Sequence, residues 1–329
     1  MNYINRRKRL ICLTGSILLA ACLCTGCGGP SYEMPYHVDY DVSSFNVVTR
    51  HETRTAVPFA AGLCVSASDV PSDTVDMSQA EAAGLFGLED CQVLYAKNIH
   101  ERLHPASLTK VMTALVALKY GQLNQNLTAS DAVTITESGA VLCGLKRGDT
   151  MSLDQALRIL LVYSANDVAM LIAENVGGSV ERFVEMMNEE AVRLGATNTH
   201  FMNPHGLTES EHYTTVYDLY LIFNEAIKYE TFNEIIHMSG YQTVYYDKNG
   251  KEKGFDKPTT NQFLKGEQQA PANVTVIGGK TGTTSAAGYC LMLFSRDANG
   301  SPFISIVLRA EGAAQLYSEM IDLLEEIHN

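Results

Sequence analysis

The period of hydrophobic and polar positions shifts along the chain, and the shifts divide it into elements. An apolar run, Leu10 to Ala21, follows the cationic stretch Arg6-Arg7-Lys8-Arg9. That arrangement predicts an export signal and is short for a membrane-spanning helix. Residues 28–55 are polar, rich in Tyr, Ser and Thr, and hold no period, which predicts a linker. Phe59 to Ser66 alternates enough to predict a strand, and Cys91 to Ala96 predicts a second. Between them, residues 69–90 carry Asp69, Asp73, Asp76, Glu81, Glu89 and Asp90 and no base. They predict a long surface loop with a helical turn near Gln79–Ala83. Pro105 then opens an almost wholly apolar helix that runs to about Tyr120 and stops at Gly121.

From 122 to 240 the texture is helical. Ser152 and Gln155 form a capping box before an apolar run. Asn166 or Asp167 opens a helix ending at Gly177-Gly178, and Ser179 opens another ending at Leu194-Gly195. Thr215 to Asp218 and Thr231 to Glu234 are two more such starts. Afterwards the period falls to two. Tyr241–Tyr246 precedes the hairpin signal Lys248-Asn249-Gly250. Val274–Ile277 predicts a short strand. Gly288–Ser295 and Pro302–Arg309 predict two strands joined by Asp297-Ala298-Asn299-Gly300. Gly312–His328 is an amphipathic helix whose apolar face holds Leu316, Met320, Leu323, Leu324 and Ile327. The order predicts an α/β fold of the mixed α+β kind, a sheet with helices on its faces and an α-domain, about 122–240, inserted mid-chain.

Length and charge narrow the class. The chain has 329 residues, 46% of them hydrophobic, enough for one large domain or two. Its net charge is −13, and beyond the four basic residues of the signal there remain 20 basic residues against 37 acidic. An acidic body argues against a nucleic-acid partner. Of eight cysteines, Cys12, Cys22, Cys24 and Cys27 belong to the first segment. Leu19-Ala20-Ala21-Cys22 resembles a lipobox, which makes Cys22 the candidate lipidated residue and Cys27, followed by Gly28-Gly29, the alternative. Cys64, Cys91, Cys143 and Cys290 lack metal-ligand spacing. Cys64 and Cys91, on neighbouring expected strands, are either a disulfide or two buried thiols, the second being favoured.

Three stretches carry candidate chemistry. In Ser107-Leu108-Thr109-Lys110 a hydroxyl and an amine stand one helical turn apart at a helix start, where the amine can take the hydroxyl proton. The same spacing also occurs in ordinary helix caps. Tyr163-Ser164-Ala165-Asn166-Asp167 puts polar side chains after the apolar run Ile159–Val162, as a helix cap would too. Gly278-Gly279-Lys280-Thr281-Gly282-Thr283-Thr284 allows close backbone approach to a ligand, or forms a tight turn. It lacks the spacing and following helix of a phosphate loop.

Taken in order, Ser107/Lys110, Ser164/Asn166 and Lys280-Thr281-Gly282 match the signature of penicillin-binding proteins and serine β-lactamases. The chain resembles the low-molecular-weight penicillin-binding proteins that act as D-alanyl-D-alanine carboxypeptidases. Phe201-Met202-Asn203-Pro204-His205-Gly206-Leu207 and Tyr213-Thr214-Thr215-Val216-Tyr217-Asp218-Leu219 share in the resemblance, which spans about 58–311. It implies a β-lactamase/transpeptidase-like fold, an antiparallel sheet flanked by helices with an inserted all-α subdomain, in a domain covering 56–329 after a signal or lipoprotein segment, 1–27, and the linker. It implies acyl transfer without metal or organic cofactor. Ser107 attacks the carbonyl between two D-alanines, Lys110 serves as base and Ser164 relays a proton. Asn166, Lys280, Thr281 and Thr283 bind substrate, and the backbone N–H groups of Ser107 and Thr283 form an oxyanion hole. His205 is taken as structural, on a turn set by Asn203-Pro204 and Gly206.

The implied substrate is the peptidoglycan pentapeptide, with β-lactam antibiotics as covalent inhibitors. The implied location is extracytoplasmic, tethered to the membrane by the N-terminus, because the β-rich domain and C-terminal anchor usual in the family are not expected here. The alternatives are a non-catalytic lipoprotein that binds β-lactam or wall peptide, a serine β-lactamase, and a D,D-endopeptidase. A class A β-lactamase needs a glutamate to activate the deacylating water. The nearest text, Glu185-Met186-Met187-Asn188, falls inside an expected helix.

Overall fold

The computed structural model describes residue 60 and residues 62–328. The segment 1–27 with Cys22 and Cys27, the linker 28–55 and the expected domain start at 56 lie outside the described residues.

The first strand, β1 (Ala80–Gly87), lies inside the stretch expected to be a loop. β2 (Gln92–Lys97) pairs with it in antiparallel register after a short turn. The described residues of Phe59–Ser66 form no strand. Leu63 N–H closes a turn on the Ala60 carbonyl, and Cys64 N–H donates to the Tyr220 hydroxyl oxygen. Burial explains the exchange. Ala82, Ala83, Leu85 and Phe86 are all buried, so β1 lacks the two-residue period of a half-exposed strand. Its alanines imitate a helical turn, but tertiary packing overrides that preference. At Gly84 a Cβ would stand 2.8 Å from Val216 Cγ1, so only glycine allows this approach. Of the six acids, only Glu81 lies within the strand, and it is exposed. Cys64 and Cys91 are free thiols.

A 3-10 turn, Ala106–Leu108, leads into α1 (Thr109–Tyr120), which ends at Gly121 as expected. Every residue of α1 from Thr109 to Ala117 is buried, because the helix runs through the core with no free face. There follow β3 (Asn126–Thr128), β4 (Thr150–Ser152), α2 (Leu153–Arg158), a π-helical turn (Ile159–Tyr163) and α3 (Asn166–Gly177). Next come α4 (Val180–Leu194), α5 (Val216–Ala226) and α6 (Glu230–Ile236). The capping signals act as read. Ser152 and Gln155 bond reciprocally, Ser179 accepts from Arg182 N–H, and Thr215 accepts from Asp218 N–H. α6 starts just ahead of Thr231. Besides its helices, this stretch contributes β3 and β4 to a small sheet, completed by the hairpin β5 (Gly240–Tyr246) and β6 (Glu252–Pro258).

After α7 (Gln262–Lys265), β7 (Thr275–Thr284) runs well beyond the short strand expected at Val274–Ile277. The glycines read as a loop belong to the strand. A Cβ at Gly278 would lie 2.1 Å from Ile236 O, and one at Gly279 would lie 2.0 Å from Met292 O. β8 (Gly288–Arg296), β9 (Pro302–Ala310) and α8 (Ala313–Glu325) close the described chain much as expected. The main sheet is antiparallel, in the order β2-β1-β9-β8-β7. One face buries Leu85, Leu291, Leu293 and Val307 against Leu316, Met320 and Leu323 of α8. The other buries Phe86, Met292, Ile304 and Ile306 against α1 and α5, where Tyr220 stacks on Phe86 at 4.2 Å. β7 is thus an edge strand that abuts the start of α1.

Candidate active site

Ser107 sits in the 3-10 turn before α1, on strained backbone. Ala106 has φ +48°, in the left-handed region. Thr109 Oγ1 donates to the Ala106 carbonyl at 2.8 Å. A Cβ on Gly206 (φ +87°) would lie 1.8 Å from that oxygen. The glycine of Asn203-Pro204-His205-Gly206 is therefore what lets this turn press against the Ser107 segment.

Lys110 is fully buried in the first turn of α1. Its Nζ lies 2.9 Å from Ser107 Oγ, 2.8 Å from Asn166 Oδ1 and 2.6 Å from the His205 carbonyl oxygen. Burial, and then the nearby Lys280 charge, hold its pKa well below the ordinary lysine range. In the neutral amine the carbonyl and the amide oxygen take the two N–H bonds, leaving the lone pair for the Ser107 hydroxyl. His205 contributes its backbone. Its imidazole, pushed down to about 3 by burial and then by Lys110, is neutral and accepts from Leu207 N–H at 3.1 Å.

Ser164 ends the π-helical turn with φ +71°, a conformation a non-glycine residue adopts only where its surroundings enforce it. Its Oγ accepts from Lys280 Nζ at 2.9 Å, and the same ammonium donates to the Thr281 carbonyl at 2.8 Å. Burial brings Lys280 down to about 7. Asn166 opens α3, and with Oδ1 on Lys110 its amide N–H groups remain as donors. All three motifs therefore meet where the helical block reaches β7. Ser107, Ser164, Thr281 and Thr283 line one cleft of about 280 Å³, floored in part by Leu316 and Tyr317 of α8. Gly282 brings the strand onto the serine, since a Cβ there would stand 3.0 Å from Ser107 N and from the Pro105 carbonyl.

Sequence reasoning missed two supports. Thr260, just after β6, joins its hydroxyl to that of Thr281 at 2.6 Å. The buried Asp167 carboxylate accepts N–H bonds from Cys143, Gly144 and Leu145 at 2.8–2.9 Å. These bonds fix the segment that carries Val141, which lines the cleft and whose carbonyl accepts Asn166 N–H at 2.8 Å. The acid in Ser164-Ala165-Asn166-Asp167 was the available signal for the second support. Nothing local marked the first. Among the described residues no cluster of three or more His, Cys, Asp or Glu could hold a metal ion. Glu185 lies on α4, where it pairs with Arg182 at 3.0 Å, and among the described residues no carboxylate lines the cleft.

Known proteins resemble this chain in sequence and in fold. The chain is 35% identical over 254 residues to the D-alanyl-D-alanine carboxypeptidase DacF of Bacillus subtilis, covering 75% of this chain and 61% of that protein. It is 32% identical over 243 residues to DacD of Escherichia coli, covering 71% and 59% respectively. The chain thus spans about three-fifths of the length of these two relatives. The crystal structure of the Streptomyces K15 DD-transpeptidase superposes with a TM-score of 0.70 at 26% identity, covering 78% of this chain and 98% of that one. The sequence profile of the D-alanyl-D-alanine carboxypeptidases matches residues 69–312. On these matches the chain belongs to the D-alanyl-D-alanine carboxypeptidase family.

Proposed function

We propose that the protein is a serine carboxypeptidase that removes the terminal D-alanine of peptidoglycan stem peptides through a Ser107 acyl-enzyme, and that penicillin acylates the same serine. The observation that carries this reading is the position of the buried Lys110 amine. Two obligate acceptors, Asn166 Oδ1 and His205 O, occupy its N–H bonds, and Ser107 Oγ lies 2.9 Å away. Lys110 takes the serine proton as Oγ attacks the carbonyl between the two D-alanines. The backbone N–H groups of Ser107 and Thr283 hold the oxyanion, where one such donor contributes roughly 3–4 kcal/mol. Ser164 hands a proton to the leaving D-alanine, drawing on the Lys280 ammonium. Lys280, Thr281 and Thr283 hold the terminal carboxylate, and the Asn166 amide binds the peptide carbonyl. Water then releases the acyl group. Among the described residues no carboxylate lines the cleft, which favours this reading over a class A β-lactamase.

The substrate lies outside the cytoplasm, which suits the export signal at 1–27 and tethering through Cys22 or Cys27. Incubated with diacetyl-L-Lys-D-Ala-D-Ala, the purified protein is expected to release D-alanine, and Ser107→Ala to lose at least about 10³-fold of that rate. No release by the wild-type protein would refute the proposal. Rapid turnover of nitrocefin would favour a β-lactamase instead.

A further inference from the structure

Behind the tip of the β7–β8 hairpin lies a second hollow that the proposed chemistry does not use. This groove, of about 420 Å³, is lined by Arg102, His104, Ser210, Tyr213, Ala286 and Arg309, and among the described residues no carboxylate lines it. In a chain with 37 acidic residues against 24 basic, two arginines facing an acid-free hollow call for a cause. Arg102 is held in place. Its guanidinium lies 4.6 Å over the Tyr213 ring, and Nη2 donates to Asn198 Oδ1 at 2.9 Å. Among the described residues it has no carboxylate partner. Arg309 has φ +56°, a left-handed conformation at the end of β9. Gly288 makes room for it, since a Cβ there would meet Arg309 Cγ at 3.3 Å. Its contact with Glu81 is loose, 3.8 Å between side chains 53% and 45% exposed, so most of its N–H donors remain open.

The groove and the cleft are joined by one short stretch of chain, for Thr283 lines the cleft and Ala286, in the turn after β7, lines the groove. Under the proposed function, which this inference deepens and rests on, the terminal carboxylate sits at Thr281 and the scissile carbonyl at Thr283. A peptide extended along the β7 edge then continues toward the hairpin tip. β7 ends at Thr284 and Ala286 lies in the turn beyond it, so the three residues from Thr283 span at most roughly 10 Å. Thr208 Oγ1 donates to Thr284 Oγ1 at 3.2 Å, tying the loop that bears Ser210 to this tip. We infer that the groove is a subsite for a carboxylate carried by the stem peptide two or three residues before the scissile bond, with the guanidinium groups of Arg102 and Arg309 as its donors. Planar guanidinium and carboxylate groups match in bidentate geometry.

The test compares L-Ala-γ-D-Glu-L-Lys-D-Ala-D-Ala with its γ-D-isoglutaminyl counterpart, which replaces that carboxylate by an amide. The wild-type protein is expected to prefer the acid by roughly ten-fold in kcat/KM, the size of a charge-assisted hydrogen bond. The preference should shrink as salt rises from about 50 to 500 mM, because both arginines are exposed. Arg102→Gln and Arg309→Gln should each bring the ratio toward one, with penicillin labelling of Ser107 reporting that the fold is intact. A wild-type ratio of one, or a ten-fold ratio retained in both variants, overturns the subsite alone. Failure of the wild-type protein to hydrolyse either peptide or to take up penicillin strikes the proposed function, and the subsite with it.

Discussion

Lys110 has three partners, and only Ser107 among them can give it a proton. That asymmetry makes the residue a base and predicts its pH dependence. The acid limb of kcat/KM follows Lys110, which must be neutral to accept the serine proton. The alkaline limb follows Lys280, which must be charged to hold a carboxylate and which burial brings to about 7. Activity should therefore fall as pH rises through about 7 in the free enzyme. Lys280→Arg, which stays charged throughout, should shift that limb upward by a pH unit or more. A pH–rate series on both proteins checks this, and an alkaline limb unmoved by the substitution would take the carboxylate-holding role from Lys280.

The elements show why part of the site was legible in sequence. Ser107 and Lys110 share a helical turn, Ser164 and Asn166 share a helix start, and Lys280 to Thr283 share a strand, so local spacing revealed each set. The caps at Ser152, Ser179 and Thr215 were equally local. β1 and the glycine half of β7 were not, because burial on two faces erases alternation, and a strand glycine squeezed by a distant backbone reads like a turn glycine. Thr260 and the loop held by Asp167 reach the cleft only through tertiary contact. Asp167 makes that support testable. Its carboxylate accepts from Cys143, Gly144, Leu145 and its own Val168 N–H. Asp167→Ala should cost about 2–3 kcal/mol in urea unfolding and slow acylation, as the wall carrying Val141 loosens. Acylation at the wild-type rate in a folded variant would show that this wall does not shape the cleft.

Across the whole molecule, the buried site costs stability in a pH-dependent way. Lys280 titrates near 7 when folded and near 10.4 when unfolded, so over that interval the unfolded chain binds the extra proton. Stability therefore rises with pH above about 7, by up to ~1.4 kcal/mol per unit for this one group, and the full penalty applies below. Lys110 acts in the same direction. His205 and His212, both pushed down to about 3 by burial, lose stability as pH falls from about 6.5 toward 3. Lys280→Met should flatten the curve between pH 7 and about 8.5 relative to the wild type, a difference that denaturant melts at several pH values would reveal. That cost goes with two buried lysines at one cleft, Lys110 against Ser107 and Lys280 against Ser164, where the helical block meets the edge of the sheet. Intact mass spectrometry with peptide mapping after benzylpenicillin treatment tests that convergence most directly. One penicillin per chain is expected, on Ser107, and no adduct on Ser107→Ala. An unmodified wild-type protein, or an adduct on Ser164 or elsewhere, would contradict it.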